Sequence, residues 1–205
     1  MITGANLVGG NPKSGRTNLD YYATNPEAVR MLLKSHHFDG GKILEPCVGG
    51  GHIANVLREE FPNGEFTFVD IVDRGYPSTT VCDFLGNFPD KNVDKEINIK
   101  YNTIITNPPY SLANQFIRKC WDLLEDGGKM AMFLRINFLE GVGRQQLFED
   151  VPLRYVYVFR KRMEVFNNGL EKNPATGERW ATTLCNGWYV WEKTNNISEP
   201  VIRWI

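Results

Sequence analysis

Lys42-Ile43-Leu44-Glu45-Pro46-Cys47-Val48-Gly49-Gly50-Gly51-His52-Ile53-Ala54-Asn55-Val56-Leu57 reads as a short strand, a glycine turn and the start of a helix. The strand covers Ile43 to Glu45, and Ile53, Val56 and Leu57 recur behind the turn at helical spacing. Glycines at such a turn let a ligand approach the backbone closely. The triplet lacks the longer Gly-x-Gly-x-x-Gly dinucleotide pattern, so by itself it says little. The same alternation continues outward. A helix is expected from Pro26 to His36, with Val29, Leu32 and Leu33 on one face. Downstream come strands over 66–70, 79–82 and 101–106, then a helix over 112–125. Gly127-Gly128 is expected to end that helix and launch a strand from Lys129 to Leu134. Strands alternating with helices predict a parallel sheet covered on both faces, with ligands held at the strands' carboxyl ends. Glu45, Asp70, Asp83 and Asn107 all fall at such ends.

The most specific string is Asn107-Pro108-Pro109-Tyr110, directly after the apolar run Tyr101-Asn102-Thr103-Ile104-Ile105-Thr106. Each proline fixes its own φ, removes an N–H donor and pushes the preceding residue into an extended conformation. The Asn107 side-chain oxygen and the Pro108 backbone oxygen can then accept both hydrogens of one NH2 group. Tyr110 offers a flat face to the ring that carries it. The arrangement describes an amine clamp.

Beyond Arg135 the pattern changes. Arg154 to Phe159 and Gly187 to Trp191 read as strands that close the sheet as an antiparallel pair. The polar stretch 164–182 between them is expected to be a mobile substrate-side loop, with Phe166 or Trp180 as a stacking contact; a passive surface loop is the alternative. Residues 1–19 are expected to be a mobile tail and 20–205 a single domain.

On these residues the chain resembles the S-adenosylmethionine-dependent adenine amino-methyltransferases of the Asn-Pro-Pro-aromatic type, from about Asp20 onward. The resemblance implies a Rossmann-like class I methyltransferase fold: α/β, a mixed seven-stranded sheet with helices on both faces. It assigns Glu45, Pro46, Cys47, Gly49 and Gly51 to the cofactor loop and Asp70 to the cofactor ribose. Asp83 and Phe84 would read the cofactor's adenine, with a core position as the equal alternative for Phe84. Tyr21-Tyr22-Ala23-Thr24-Asn25-Pro26 resembles the family's aromatic-x-Thr-Pro segment over the methionine end, with Asn25 inserted; Tyr22 and Thr24 are its candidate contacts. The stretch from Leu134 to Gly141 and the closing Trp188-Tyr189-Val190-Trp191 are similar to small phage- or prophage-encoded adenine methyltransferases. Arg135, Asn137 and Glu140 lie just past a sheet strand and are substrate-side candidates, though no chemical argument singles them out; the host cytoplasm is the expected location.

Composition limits this reading. The chain has 205 residues, 42% hydrophobic and 23% charged, which suits one α/β domain with a sizeable core. No stretch is apolar enough to span a membrane, and no signal-peptide core opens the sequence. Cys47, Cys82, Cys120 and Cys185 stand far apart without clustered histidines, so reduced thiols are expected and a metal site is not. Cys47 has no histidine partner in sight, and His52 reads as a turn residue rather than a base.

The formal net charge of −1 confines any nucleic-acid surface to a local patch. Arg160-Lys161-Arg162, with Arg154, Lys172 and Arg179 nearby, is the candidate; a solvated strand end is its equal alternative. Adenine in DNA is the leading substrate. RNA adenine and a protein glutamine amide fit the same clamp, and a non-catalytic cofactor-binding subunit is the third reading. No separate target-recognition domain is visible. A second copy could supply missing binding surface, though no residue pattern specifies such a homodimer.

Overall fold

The computed structural model describes residues 22–86, 91–167, 169–179, 185–195 and 199–205. The expected tail over 1–19 and Trp180 lie outside them. The first half runs β1 (Tyr22–Thr24), α1 (Pro26–Ser35), β2 (Lys42–Glu45), α2 (His52–Glu60), β3 (Glu65–Asp70) and β4 (Thr79–Val81). Then follow α3 (Lys91–Ile97), β5 (Tyr101–Thr106), α4 (Ala113–Leu123), β6 (Leu124–Arg135) and α5 (Gln145–Asp150). The chain closes with β7 (Tyr155–Val158), β8 (Val165–Asn167), β9 (Asn186–Glu192) and β10 (Val201–Trp204).

Side chains of a strand point to alternate faces, and here each face meets its own layer of helices. Leu44, Ile104, Met130, Met132, Tyr189 and Trp191 pack with α3, α4 and α5. Their neighbours Ile43, Ile105, Ala131, Phe133, Trp188 and Val190 pack with α1 and α2. Burial on both faces explains why Met130 to Leu134 of β6 form a continuous apolar run.

The main sheet has the order β10-β7-β9-β6-β5-β2-β3-β4. From β4 to β6 the neighbours are parallel. β9 then runs antiparallel to both β6 and β7, and β10 is parallel to β7. The eighth strand beyond the seven expected is β10. All four of its residues are exposed, so no burial alternation marked it. A further departure is α3, since its charged sequence reads as a surface connection. Another lies at the start of β6. α4 stops at Leu123, and the strand takes in Gly127, at φ 80°, and Gly128 after a register shift against β5.

Part of the 164–182 stretch is regular: β8 pairs antiparallel with β1 as a separate ribbon, and Lys172 bridges Arg179. Asn25, the extra residue before Pro26, caps α1 by accepting the Glu27 N–H at 2.9 Å.

His36, just after α1, is buried with Nδ1 2.9 Å from the Tyr157 hydroxyl. Its Nε2 lies 3.4 Å from Glu192. Burial, with the positive charges of Lys129 and Arg203 nearby, outweighs the opposing Asp39 carboxylate and lowers the ring's pKa to about 4. A depressed histidine pKa contributes stability that is full above its ordinary value of 6.5 and is lost as pH falls through about 4. The loss is at most about 3 kcal/mol. Urea midpoints at about pH 7.5 and about pH 5 should therefore differ more for the wild type than for His36→Gln, and equal differences would refute the assignment.

Candidate functional site

Because β2, β3, β4 and β5 are parallel, their carboxyl ends share one edge. A cavity of about 400 Å³ opens there, within the size range of small-molecule sites. Glu45 ends β2, Asp70 ends β3, Asp83 follows β4 and Asn107 follows β5; all four line the cavity. Tyr22, Ala23 and Thr24 of β1 supply another wall.

The glycine turn is tied to the neighbouring strand. Asp70 Oδ2 accepts the Gly49 N–H at 2.8 Å, and Oδ1 accepts the Val72 N–H at 3.0 Å. Gly49 has φ 55°, a conformation that favours glycine. Glu45 is 1% exposed, and its Oε2 has no partner among the described residues. Burial and the Asp70 charge push its carboxyl well above the usual range. Pro46 and Cys47 also face the cavity. Burial likewise raises the Cys47 thiol, which keeps it protonated and unsuited to nucleophilic work.

Gly51, unlike Gly49, does not line the cavity. It caps α2 at φ 82°, and an added Cβ would sit 2.0 Å from the Tyr76 ring. The Tyr76 ring thus leaves no room for a side chain at position 51. Phe84 proves to be both wall and core. It is 3% exposed, lines the cavity and stacks on Phe116 at 5.3 Å. Asp83 Oδ1 accepts the Leu85 N–H at 3.0 Å.

At the clamp, Asn107 Nδ2 donates to the Tyr22 carbonyl at 2.9 Å. Only the NH2 of an amide can face a carbonyl, so the Asn107 Oδ1 is left as a free-facing acceptor. The Pro109 carbonyl takes the Leu112 N–H at 2.9 Å. Pro108, lining the cavity, has no such backbone partner among the described residues. The Tyr110 hydroxyl donates to Asn186 Oδ1 at 3.3 Å, and burial raises its pKa to about 12. The Arg135 guanidinium covers one face of the Tyr110 ring at 5.1 Å, and Tyr110 also lines the cavity.

Arg135 therefore joins the clamp from behind, outside the cavity wall, whereas Asn137 is exposed on the turn Ile136–Leu139 and is not brought to the cavity. Sequence reasoning missed Asn186. It is 6% exposed, pairs across strands with Arg135, and its Nδ2 lacks a partner among the described residues. Only the antiparallel register of β9 reveals that it stands at this edge. His52 was expected as a turn residue; it also lines the cavity and meets Phe166 edge-on at 6.0 Å. Among the described residues no group of His, Cys, Asp and Glu could hold a metal ion, and no helix is long and apolar enough to cross a membrane.

No family model matches the chain, and no curated protein does. Solved structures do. A predicted O-methyltransferase from Agrobacterium tumefaciens aligns with TM-score 0.58 at 15% identity, over 85% of this chain and 84% of its own. A putative class I S-adenosylmethionine-dependent methyltransferase from Listeria monocytogenes gives 0.56 at 11%, over 86% and 62%. The methyltransferase subunit of a type I restriction-modification system from Streptococcus thermophilus gives 0.59 at 12%, over 90% and 47%. This chain thus spans about half of that subunit's length. The likeness shows the fold, which is the Rossmann-like class I methyltransferase fold with a mixed sheet.

Gly51→Ala should lower stability by roughly 1–3 kcal/mol, since it strains the backbone and drives a methyl group into Tyr76. Adding Tyr76→Ala should relieve the collision, so the two effects should not add. An additive double-mutant cycle, measured by urea unfolding, would show that the ring imposes no such constraint.

Proposed function

We propose that this chain transfers a methyl group from S-adenosylmethionine to the exocyclic amino nitrogen of adenine in DNA. The observation that carries this reading is the Asn107 amide, whose NH2 is held by the Tyr22 carbonyl while its oxygen remains to accept. It stands beside a cavity rich in carboxylates, in a class I methyltransferase fold. The fold shared with a type I restriction-modification methyltransferase subunit supports the DNA side of the reading.

The cavity suits the cofactor chemically. Glu45, Asp70 and Asp83 offer carboxylates to a cationic, hydroxyl-bearing ligand, and Phe84 offers an apolar wall to its base. The buried Thr24 Oγ1 and Glu45 Oε2 lack partners among the described residues, and such a ligand would supply them. When bound, S-adenosylmethionine provides an electrophilic methyl group on sulfur.

The protein's own part is positioning. Adenine's amino nitrogen is a poor nucleophile because its lone pair is delocalised into the ring. Asn107 Oδ1 and the Pro108 carbonyl accept its two hydrogens, favour a pyramidal nitrogen and turn its lone pair out of the ring plane. Tyr110 holds the base flat. Fixed acceptors in a partly dry site need no reorganisation, and the aligned approach replaces a collision between free reactants. The surplus proton is strongly acidic once the N–C bond has formed and passes to solvent, so no side-chain base is required. Flipping a base from duplex DNA costs a few kcal/mol, and stacking on Tyr110 offsets roughly 1–3 kcal/mol.

Tritiated methyl transfer from S-adenosylmethionine to duplex DNA, single-stranded DNA, RNA and protein, followed by digestion of the product, tests the reading directly. Methyladenine in DNA is the expected label; label in RNA or in glutamine keeps the clamp and moves the substrate. Asn107→Ala should lose transfer by about 100-fold or more while binding cofactor normally, and undiminished turnover would refute the clamp.

Cofactor binding should also release a proton. Glu45 holds its proton more readily than an ordinary carboxyl in the free protein, and a cation beside it reverses that. Affinity then rises with pH between the ordinary carboxylate range and the raised value. Calorimetry in two buffers of different ionisation heat counts the proton. The same release from Glu45→Gln would reassign it to another group.

A further inference from the structure

Strand direction decides which edge the basic run Arg160-Lys161-Arg162 occupies. β7 is antiparallel to β9, and β9 is antiparallel to β6, so β7 runs in the same sense as β6 and β5. The residues after β7 therefore emerge at the edge that carries Asn107 and Tyr110. All three side chains of the run are exposed. None meets a carboxylate among the described residues. Arg30, Arg118, Arg154, Arg179 and Lys129, by contrast, each pair with an acid, Arg118 with Asp150 at 2.8 Å. The Arg160 N–H donates to the Ile205 oxygen at 2.9 Å, which fixes the start of the run to the edge strand.

Three adjacent cations without a counter-charge repel one another, and a polyanion reverses that cost. Arg135 at the end of β6 continues the positive charge toward the clamp. From β5 to β7 the sheet order takes three steps, or about 14 Å at about 4.8 Å each. That is about four base steps of a DNA strand at roughly 3.4 Å per step.

We infer that Arg160, Lys161 and Arg162 form a landing for the phosphodiester backbone of the DNA whose adenine enters the clamp, about four bases to one side of it. The inference rests on the DNA reading above and adds where the strand lies. Each neutralised phosphate releases counterions, so the landing is legible in the salt dependence of binding.

The test measures binding of a fluorescent duplex and a fluorescent single strand to the full chain by anisotropy across a salt series, beside cofactor affinity by calorimetry. The variant R160A/K161A/R162A should reduce the slope of log K against log salt by about 2–3 and leave cofactor affinity unchanged. R30A/R118A, which removes two paired cations elsewhere, should leave the slope as in the wild type. An unchanged slope in the triple variant, with wild-type DNA binding intact, overturns the landing alone. An equal fall in R30A/R118A also overturns it, because the effect would then be one of general charge. A wild type that binds neither DNA overturns the substrate reading as well.

Discussion

Burial of the central strands on both faces is the constraint from which the rest of the molecule follows. Interior positions of β2, β5 and β6 face helices above and below, so a charged side chain there would lose its water without compensation. Ionisable groups are displaced to the strand ends. Parallel strands bring those ends to a single edge, which is why Glu45, Asp70, Asp83 and Asn107 meet although long stretches of chain separate them. The site is a by-product of a core that cannot accept it elsewhere.

That edge is joined by hydrogen bonds as much as by packing. The Asp70 carboxylate accepts from the glycine turn after β2 and from the segment after β3, holding the two loops together. Tyr22 does the same for the clamp, since its carbonyl orients the Asn107 amide. Tyr110 is fixed at its hydroxyl by Asn186 and at one ring face by Arg135. Each of these side chains is thus located by a partner from a different strand, which leaves the amide and the ring little rotational freedom.

What was legible in the sequence was local. The strand, glycine turn and helix around Glu45 announce themselves through short-range spacing, and the prolines after Asn107 dictate their own backbone. What was not legible depends on residues far apart in the chain. The need for glycine at position 51 comes from a ring at Tyr76, and Asn186 acquires its place only through the register with Arg135. β10 buries no side chain, so its sequence carries no periodic signal. Asn25 looks like an interruption of a motif until its side chain is seen to cap α1.

The β1–β8 ribbon has a consequence for the order in which the molecule is made. β1 leaves the ribosome early, yet its three ladder partners belong to Val165–Asn167, far later in the chain. Pairing so distant closes a large loop for few hydrogen bonds, a step that chain entropy delays. The parallel strands β2 to β6 can assemble before it, with their carboxylates already gathered. The wall formed by Tyr22 to Thr24, and with it the Tyr22 carbonyl that aims Asn107, settles only once β8 has been made. Synthesis would then pass through a stage in which β2 to β6 stand paired while the Asn107 amide still turns freely.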